Sequence, residues 1–176
     1  MKKTRDDWFM AGLHLMARNG ASSLKIDTLC KDLQVTKGSF YHHFSHLEDY
    51  QQQLLDHYEQ ISTLDIIEHL KSIADPRERL RTLVKTITAY DPSLEIALRA
   101  WARTDPRARD LQKRLDTIRE AYVLDLVSQI IAEPETAAQL ARGLYWLFVG
   151  SQQSTFEHDG EQKAQINLLM LDRLGL

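Results

Sequence analysis

Thr36, Lys37, Gly38, Ser39, Tyr41, His42 and His43 crowd around two phenylalanines, Phe40 and Phe44, spaced four apart. On a helix that spacing puts both rings on one face, leaving Lys37, Ser39, Tyr41, His42 and His43 toward solvent. A cation with hydroxyl and imidazole donors and acceptors, on a short anchored helix, is the chemistry needed to read a nucleic-acid groove. Lys37 would neutralise a phosphate or donate to a guanine edge. Tyr41 would donate to a phosphate or pack on a thymine methyl, and Ser39 and His42 would face base edges. Thr36 is placed to cap the segment and to share a phosphate with the first free N–H groups. Gly38 removes a side chain where the backbone would approach DNA. Lys25, ahead of the preceding segment, is a further candidate phosphate contact.

The three histidines His42, His43 and His46 also raise a metal reading. His42 and His46 have the spacing of a chelating pair, but a helix break near Ser45 disrupts it, and no cysteine or carboxylate completes a set. No metal or other cofactor is expected. The sequence has no glycine-rich nucleotide fingerprint, phosphate loop, zinc motif or nucleophile elbow, so an enzyme is not expected.

These residues need elements to hold them, and the start signals are helical. All four prolines follow an acid: Asp75-Pro76, Asp91-Pro92, Asp105-Pro106 and Glu133-Pro134. Each pair reads as an N-cap and first helical residue. Ser45 with Glu48 matches a capping box, and Thr4 with Asp7 a weaker one. The marks divide the chain into nine helices, 5–19, 26–33, 37–44, 46–72, 76–90, 92–104, 106–132, 134–155 and 161–174. No segment alternates with a period of two, so the fold class is all-α. In the first segment Trp8, Phe9, Gly12, Leu13 and Met16 share a face, with Gly12 permitting close packing. Ile26, Leu29, Cys30 and Leu33 follow helical spacing in the second, making Cys30 a small core residue. Segments 26–33 and 37–44 with a tight turn between them form a helix-turn-helix, the second being the reading helix.

The run from Val35 to Phe44, preceded by Ile26-x-x-Leu-Cys and followed by Glu48, closely resembles the signature of TetR-type transcriptional regulators. The specific resemblance covers about the first 50 residues, and beyond them only the layout matches. It implies a DNA-binding domain over 1–46 and a helical ligand-binding and dimerisation domain over 47–176. It implies backbone contact by Tyr41 and a ligand cavity among the middle helices. The turn position usually held by glycine is Gln34, so a left-handed turn residue would be slightly strained, or reshaped, there. The fourth helix opens with only His46 where a basic residue is common, and the N-terminal arm offers Lys2 and Lys3 alone.

Charge agrees with this division. Through His46, seven Lys/Arg stand against four Asp/Glu; the remainder holds 15 basic and 21 acidic residues, so a basic end sits on an acidic body. Within that body Tyr58, Trp101 and Tyr122 are candidates to line the cavity. Glu95, Arg99 and Arg103, spaced at four, would orient a polar ligand group or pair with one another on a solvated face. The other aromatics, Trp146 among them, read as core. Leu140, Leu144, Leu147 and Phe148 form one apolar stripe, with Gly143 and Gly150 allowing close approach. Ile166, Leu169, Met170, Arg173 and Leu174 form a second. Two such helices from each of two chains make a four-helix contact. A homodimer also follows from the reading, because one short helix reads too few base pairs to be specific.

The 43% apolar and 27% charged composition is that of a folded domain. A single cysteine excludes an intrachain disulfide. The longest uncharged stretch, Gly143–Phe156, contains two glutamines and falls short of a bilayer span. No signal peptide is visible at the N-terminus, and a cytoplasmic location is expected. The expected function is a ligand-responsive repressor that binds a palindromic operator in double-stranded DNA as a homodimer. A small-molecule effector, unidentified by sequence, would release it. The alternative is a helical protein- or small-molecule-binding module whose helix-turn-helix no longer reads DNA.

Overall fold

Short-range capping starts most of the helices of the computed structural model, which describes residues 3–154 and 160–176. Thr4 and Asp7 bond each other's backbone N–H at 3.2 and 2.7 Å, a complete capping box that opens α1 (Arg5–Asn19). A 3₁₀ turn, Ala21–Ser23, leads to α2 (Ile26–Leu33) and then α3 (Lys37–Tyr41). Helix α4 runs Leu47–Glu59 and continues through a π-helical turn, Gln60–Leu64, into Asp65–Leu70. There follow α5 (Pro76–Thr88), α6 (Ser93–Trp101), α7 (Pro106–Ser128), α8 (Pro134–Ser151) and α9 (Gly160–Arg173). The described residues thus form nine helices and no strand, and none of these helices is long and apolar enough to cross a membrane.

Acid–proline starts hold at three sites. Asp75 accepts from Arg77 N, Asp105 from Arg107 N, and Glu133 from the N–H groups of Glu135 and Thr136. At the fourth, Pro92 itself takes the cap position without a side-chain bond, and α6 begins at Ser93. The capping box expected at Ser45 and Glu48 shifts by one residue. His46 Nδ1 accepts from Asp49 N at 3.1 Å, and the Asp49 carboxylate accepts from Ser45 N at 2.9 Å. Expected helix ends at 132 and, for α8, 155 were too long: α7 stops at Ser128 and α8 at Ser151. Thr155 lies outside the described residues, as does Lys2 of the N-terminal arm.

Packing gathers the chain into two compact units, one of residues 1–62 and 92–114, the other of residues 63–91 and 115–176. In the first, α1 packs against α2, α4 and α6. Its core is aromatic. Trp8, Phe40, Phe44 and Tyr50 are at most 2% exposed, with ring centroids 5.0–6.2 Å apart for Trp8–Phe40, Trp8–Phe44, Phe40–Phe44, Phe40–Tyr50 and Phe44–Tyr50. Gly12 lets α4 approach: a Cβ there would lie 1.9 Å from the Tyr50 hydroxyl, which donates to Trp8 O at 2.9 Å. In the second unit, α5 packs against α9 and the end of α4. Its aliphatic core includes Leu70, Leu80, Leu83, Val127, Ala137, Ala141 and Leu171. Arg81–Asp172 (2.6 Å) and Arg142–Glu120 (2.9 Å) pair at its surface.

Candidate nucleic-acid interface

Gln34 closes α2 in the left-handed conformation (φ 57°, ψ 45°), the one non-glycine residue with positive φ among those described. Val35 N then bonds Cys30 O at 2.9 Å, a Schellman closure that turns the chain sharply toward α3. An L-residue in this region carries strain, as expected at Gln34. Cys30 is buried, and burial pushes its thiol pKa up, fitting a core residue rather than a nucleophile.

Helix α3 is shorter than the 37–44 expected. It ends at Tyr41, and His42 and His43 form a turn whose N–H groups bond Gly38 O and Phe40 O. That turn allows both Phe40 and Phe44 to bury. Thr36 has extended backbone at the cap position, but its hydroxyl makes no capping bond, contrary to expectation. Five residues also carry little macrodipole.

The face left outward holds Thr36, Lys37, Gly38, Tyr41 and His42, all exposed; Ser39 is half-buried. Tyr41 is 56% exposed and rests edge-on against Phe40 at 5.5 Å. His43 differs from the others: it is half-buried, 6.4 Å from the Trp8 ring, so it is set back from the open face. Its carbonyl accepts from Arg5 Nη2 at 2.9 Å, and Arg5 also lies over Phe44. Sequence reasoning missed this role of Arg5. Lys25 is exposed at the cap of α2.

Lys37 is not a lone cation. Its Nζ pairs with Asp27 Oδ1 at 2.7 Å, with the two side chains 60% and 76% exposed. Asp27 holds the Lys37 pKa above its ordinary value. It had counted in the sequence only as one of four acids in a basic segment. Its place in the first turn of α2, as Lys37 is in the first turn of α3, is the signal that could have found it.

The structure also joins Tyr58, Glu95 and Arg99. The Tyr58 hydroxyl donates to Glu95 Oε2 at 2.6 Å, and Arg99 Nη2 lies 3.2 Å from Glu95 Oε1. The solvated face expected for Glu95 and Arg99 is corrected: their side chains are 8% and 18% exposed. Arg103 alone stays exposed, and Trp101 is buried in α6. Tyr122 belongs to the second unit, packed against its aliphatic core.

Of the two apolar stripes, Leu140 and Leu144 pack onto their own unit's core, while Leu147, Ile166 and Leu169 are exposed. Met170 is half-buried and Arg173 exposed. Gly143 lines an open groove of about 480 Å³ with Glu135, Ala138, Gln139, Arg142 and Trp146. Trp146, read as core, is instead 67% exposed.

A helix-turn-helix head followed by longer helices, over nearly the whole length, is the fold of the TetR/AcrR-type transcriptional regulators. Similar solved structures include Escherichia coli NemR in its reduced form, 20% identical with a TM-score of 0.80 over 99% of this chain and 98% of that one. A TetR-family transcriptional regulator of Streptomyces coelicolor is 17% identical with a TM-score of 0.78, covering 97% and 87%. A transcriptional regulator of Saccharomonospora viridis in complex with choline is 19% identical with a TM-score of 0.75, covering 96% and 95%. No family model and no curated protein matches the sequence.

Proposed function

We propose that this protein is a cytoplasmic, DNA-binding transcriptional regulator that represses by occupying a palindromic operator as a homodimer. The observation carrying the reading is the outward face of α3. Two buried phenylalanines anchor it, and it presents Thr36, Lys37, Tyr41 and His42 to solvent. In this reading residues 1–46 bind DNA, with Lys25 on a phosphate and Ser39 and His42 at base edges. Residues 47–176 bind the effector and the second copy. Exposed Leu147, Ile166 and Leu169 are the apolar surface offered to that copy, and two reading heads would meet half-sites about 34 Å apart or a multiple of it.

Tyr58, Glu95 and Arg99 form the polar group offered to an effector. The choline complex of the Saccharomonospora viridis regulator supports a small molecule as the effector's class. Such a ligand releases DNA only by binding one conformation better than the other; a coupling of 1–3 kcal/mol weakens operator binding about 5–150-fold.

The test is anisotropy titration against DNA from upstream of the protein's own gene, at two salt concentrations, with unrelated DNA as competitor. Competitor-resistant binding that weakens as salt rises is expected, and it should be lost in Tyr41→Ala. The Asp27–Lys37 pair favours a second reading, a binding module that has lost DNA recognition, because it already engages the cation. Weak binding, equal on all DNAs and on sites selected from a random pool, would replace the first reading with the second.

A further inference from the structure

We propose that Asp27 and Lys37 act as a single reader of one G·C pair in each half-site. The inference rests on the DNA-reading proposal above. The two side chains come from the first turns of α2 and α3, brought together by the left-handed turn at Gln34. Their polar atoms lie 2.7 Å apart and both are open to solvent.

A G·C pair shows guanine O6 and N7 acceptors and the cytosine N4 amino donor on its major-groove edge. O6 and N4 are themselves joined by an N–H···O bond, about 2.7–3.2 Å long. A donor and an acceptor held 2.7 Å apart match that spacing. Lys37 has three N–H donors, one of them directed at Asp27, which leaves two for O6 and N7. The Asp27 carboxylate keeps lone pairs for the N4 amino group.

Charge favours this role over phosphate binding for the pair. A lone carboxylate on this face would be repelled by the DNA backbone, whereas the pair is neutral overall. As an exposed ion pair it adds little to folding. Discrimination works from both sides. With A·T in the G·C place, the thymine O4 lone pairs face the carboxylate and the adenine N6 amino group faces the ammonium. Reversing the pair to C·G exchanges donor and acceptor. Wrong bases are rejected by repulsion as well as by lost bonds.

The experiment selects bound duplexes from a random pool with the full-length protein. The chosen site and its single-pair substitutions are then titrated by anisotropy, with wild type and Asp27→Ala. In wild type, replacing one symmetric G·C position by A·T should weaken binding about 5–150-fold. In Asp27→Ala that penalty should shrink several-fold while the penalties at all other positions stand. Because Asp27 is exposed, the variant should keep its helical circular dichroism. The proposal is overturned if Asp27→Ala keeps every positional penalty. It is equally overturned if the variant only binds all duplexes more tightly, as removal of a repulsive charge alone would do. A wild-type protein that selects no sequence would overturn the DNA-reading proposal itself, and this one with it.

Discussion

Replacing Gly12 by alanine should destabilise the protein although alanine is the better helix former. The added Cβ would stand 1.9 Å from the Tyr50 hydroxyl oxygen, 3.1 Å from its Cζ and 3.2 Å from Leu54 Cδ2. Ordinary contact needs ~3.5 Å, so the hydroxyl must retreat by about 1.5 Å. Tyr50 has no exposed surface, and burial raises its phenol pKa well above the usual range. It therefore retreats within a close-packed core and gives up its bond to Trp8 O. Overpacking costs ~1–3 kcal/mol and the lost bond ~1 kcal/mol, against ~1 kcal/mol gained in helix propensity. The net is a loss of about 2 kcal/mol, or a fall of ~4–8 °C in Tm for a chain of this size. Urea and thermal unfolding of Gly12→Ala, Tyr50→Phe and the double variant measure it. Removing the hydroxyl also removes its clash with the new Cβ, so the double variant should lose less than the sum of the singles. A neutral or stabilised Gly12→Ala, with additive effects in the double variant, would refute the reasoning.

Gln34→Gly should raise stability by ~0.5–1 kcal/mol, since glycine takes the left-handed conformation without the Cβ penalty that glutamine carries; a lowered Tm would contradict this. Acid should destabilise the protein through its caps. Backbone N–H donation from Thr4 and Ser45 lowers the pKa values of Asp7 and Asp49, and bonds from Thr136 and Glu135 lower that of Glu133. These groups bind protons more readily unfolded than folded. Their contribution is therefore present above the ordinary carboxylate range near 4 and is lost as pH falls through the lower folded values. In acid unfolding, Asp49→Asn should be the less stable protein at pH 7, with the difference closing by about pH 2. A difference that widens in acid would reverse the assignment.

The parts of this protein legible in its sequence depend on contacts a few residues long. Asp75, Asp105 and Glu133 cap helices through N–H groups two or three positions on, and Phe40 and Phe44 share a face through the helical period. The run from Val35 to Phe44 lies within one such stretch, so the helix after the turn and the burial of Phe40 and Phe44 were legible in it, whereas its end at Tyr41 and the half-buried place of His43 were not. Even local rules can miss by a residue: Ser45 was the expected cap of α4, but His46 Nδ1 accepts from Asp49 N while the Asp49 carboxylate accepts from Ser45 N. Helix ends were overestimated for the same reason: periodicity shows where apolar faces run, but says little of where the backbone turns away.

Pairings across the chain belonged to the tertiary structure. Asp27 meets Lys37 only because Gln34 adopts the left-handed turn between their helices. Tyr58 reaches Glu95 across 37 residues, and the Glu95–Arg99 pair is buried where spacing alone allowed a solvated one. Trp146 shows the converse, a large aromatic left exposed because its turn of α8 faces away from its unit's core. Sequence by itself determined the helices and the helix-turn-helix, since each rests on short-range hydrogen bonding and hydrophobic period. Which charges are paired, which polar groups are buried and which apolar faces stay open were decided only in three dimensions. Those properties depend on neighbours that the chain brings together from distant positions.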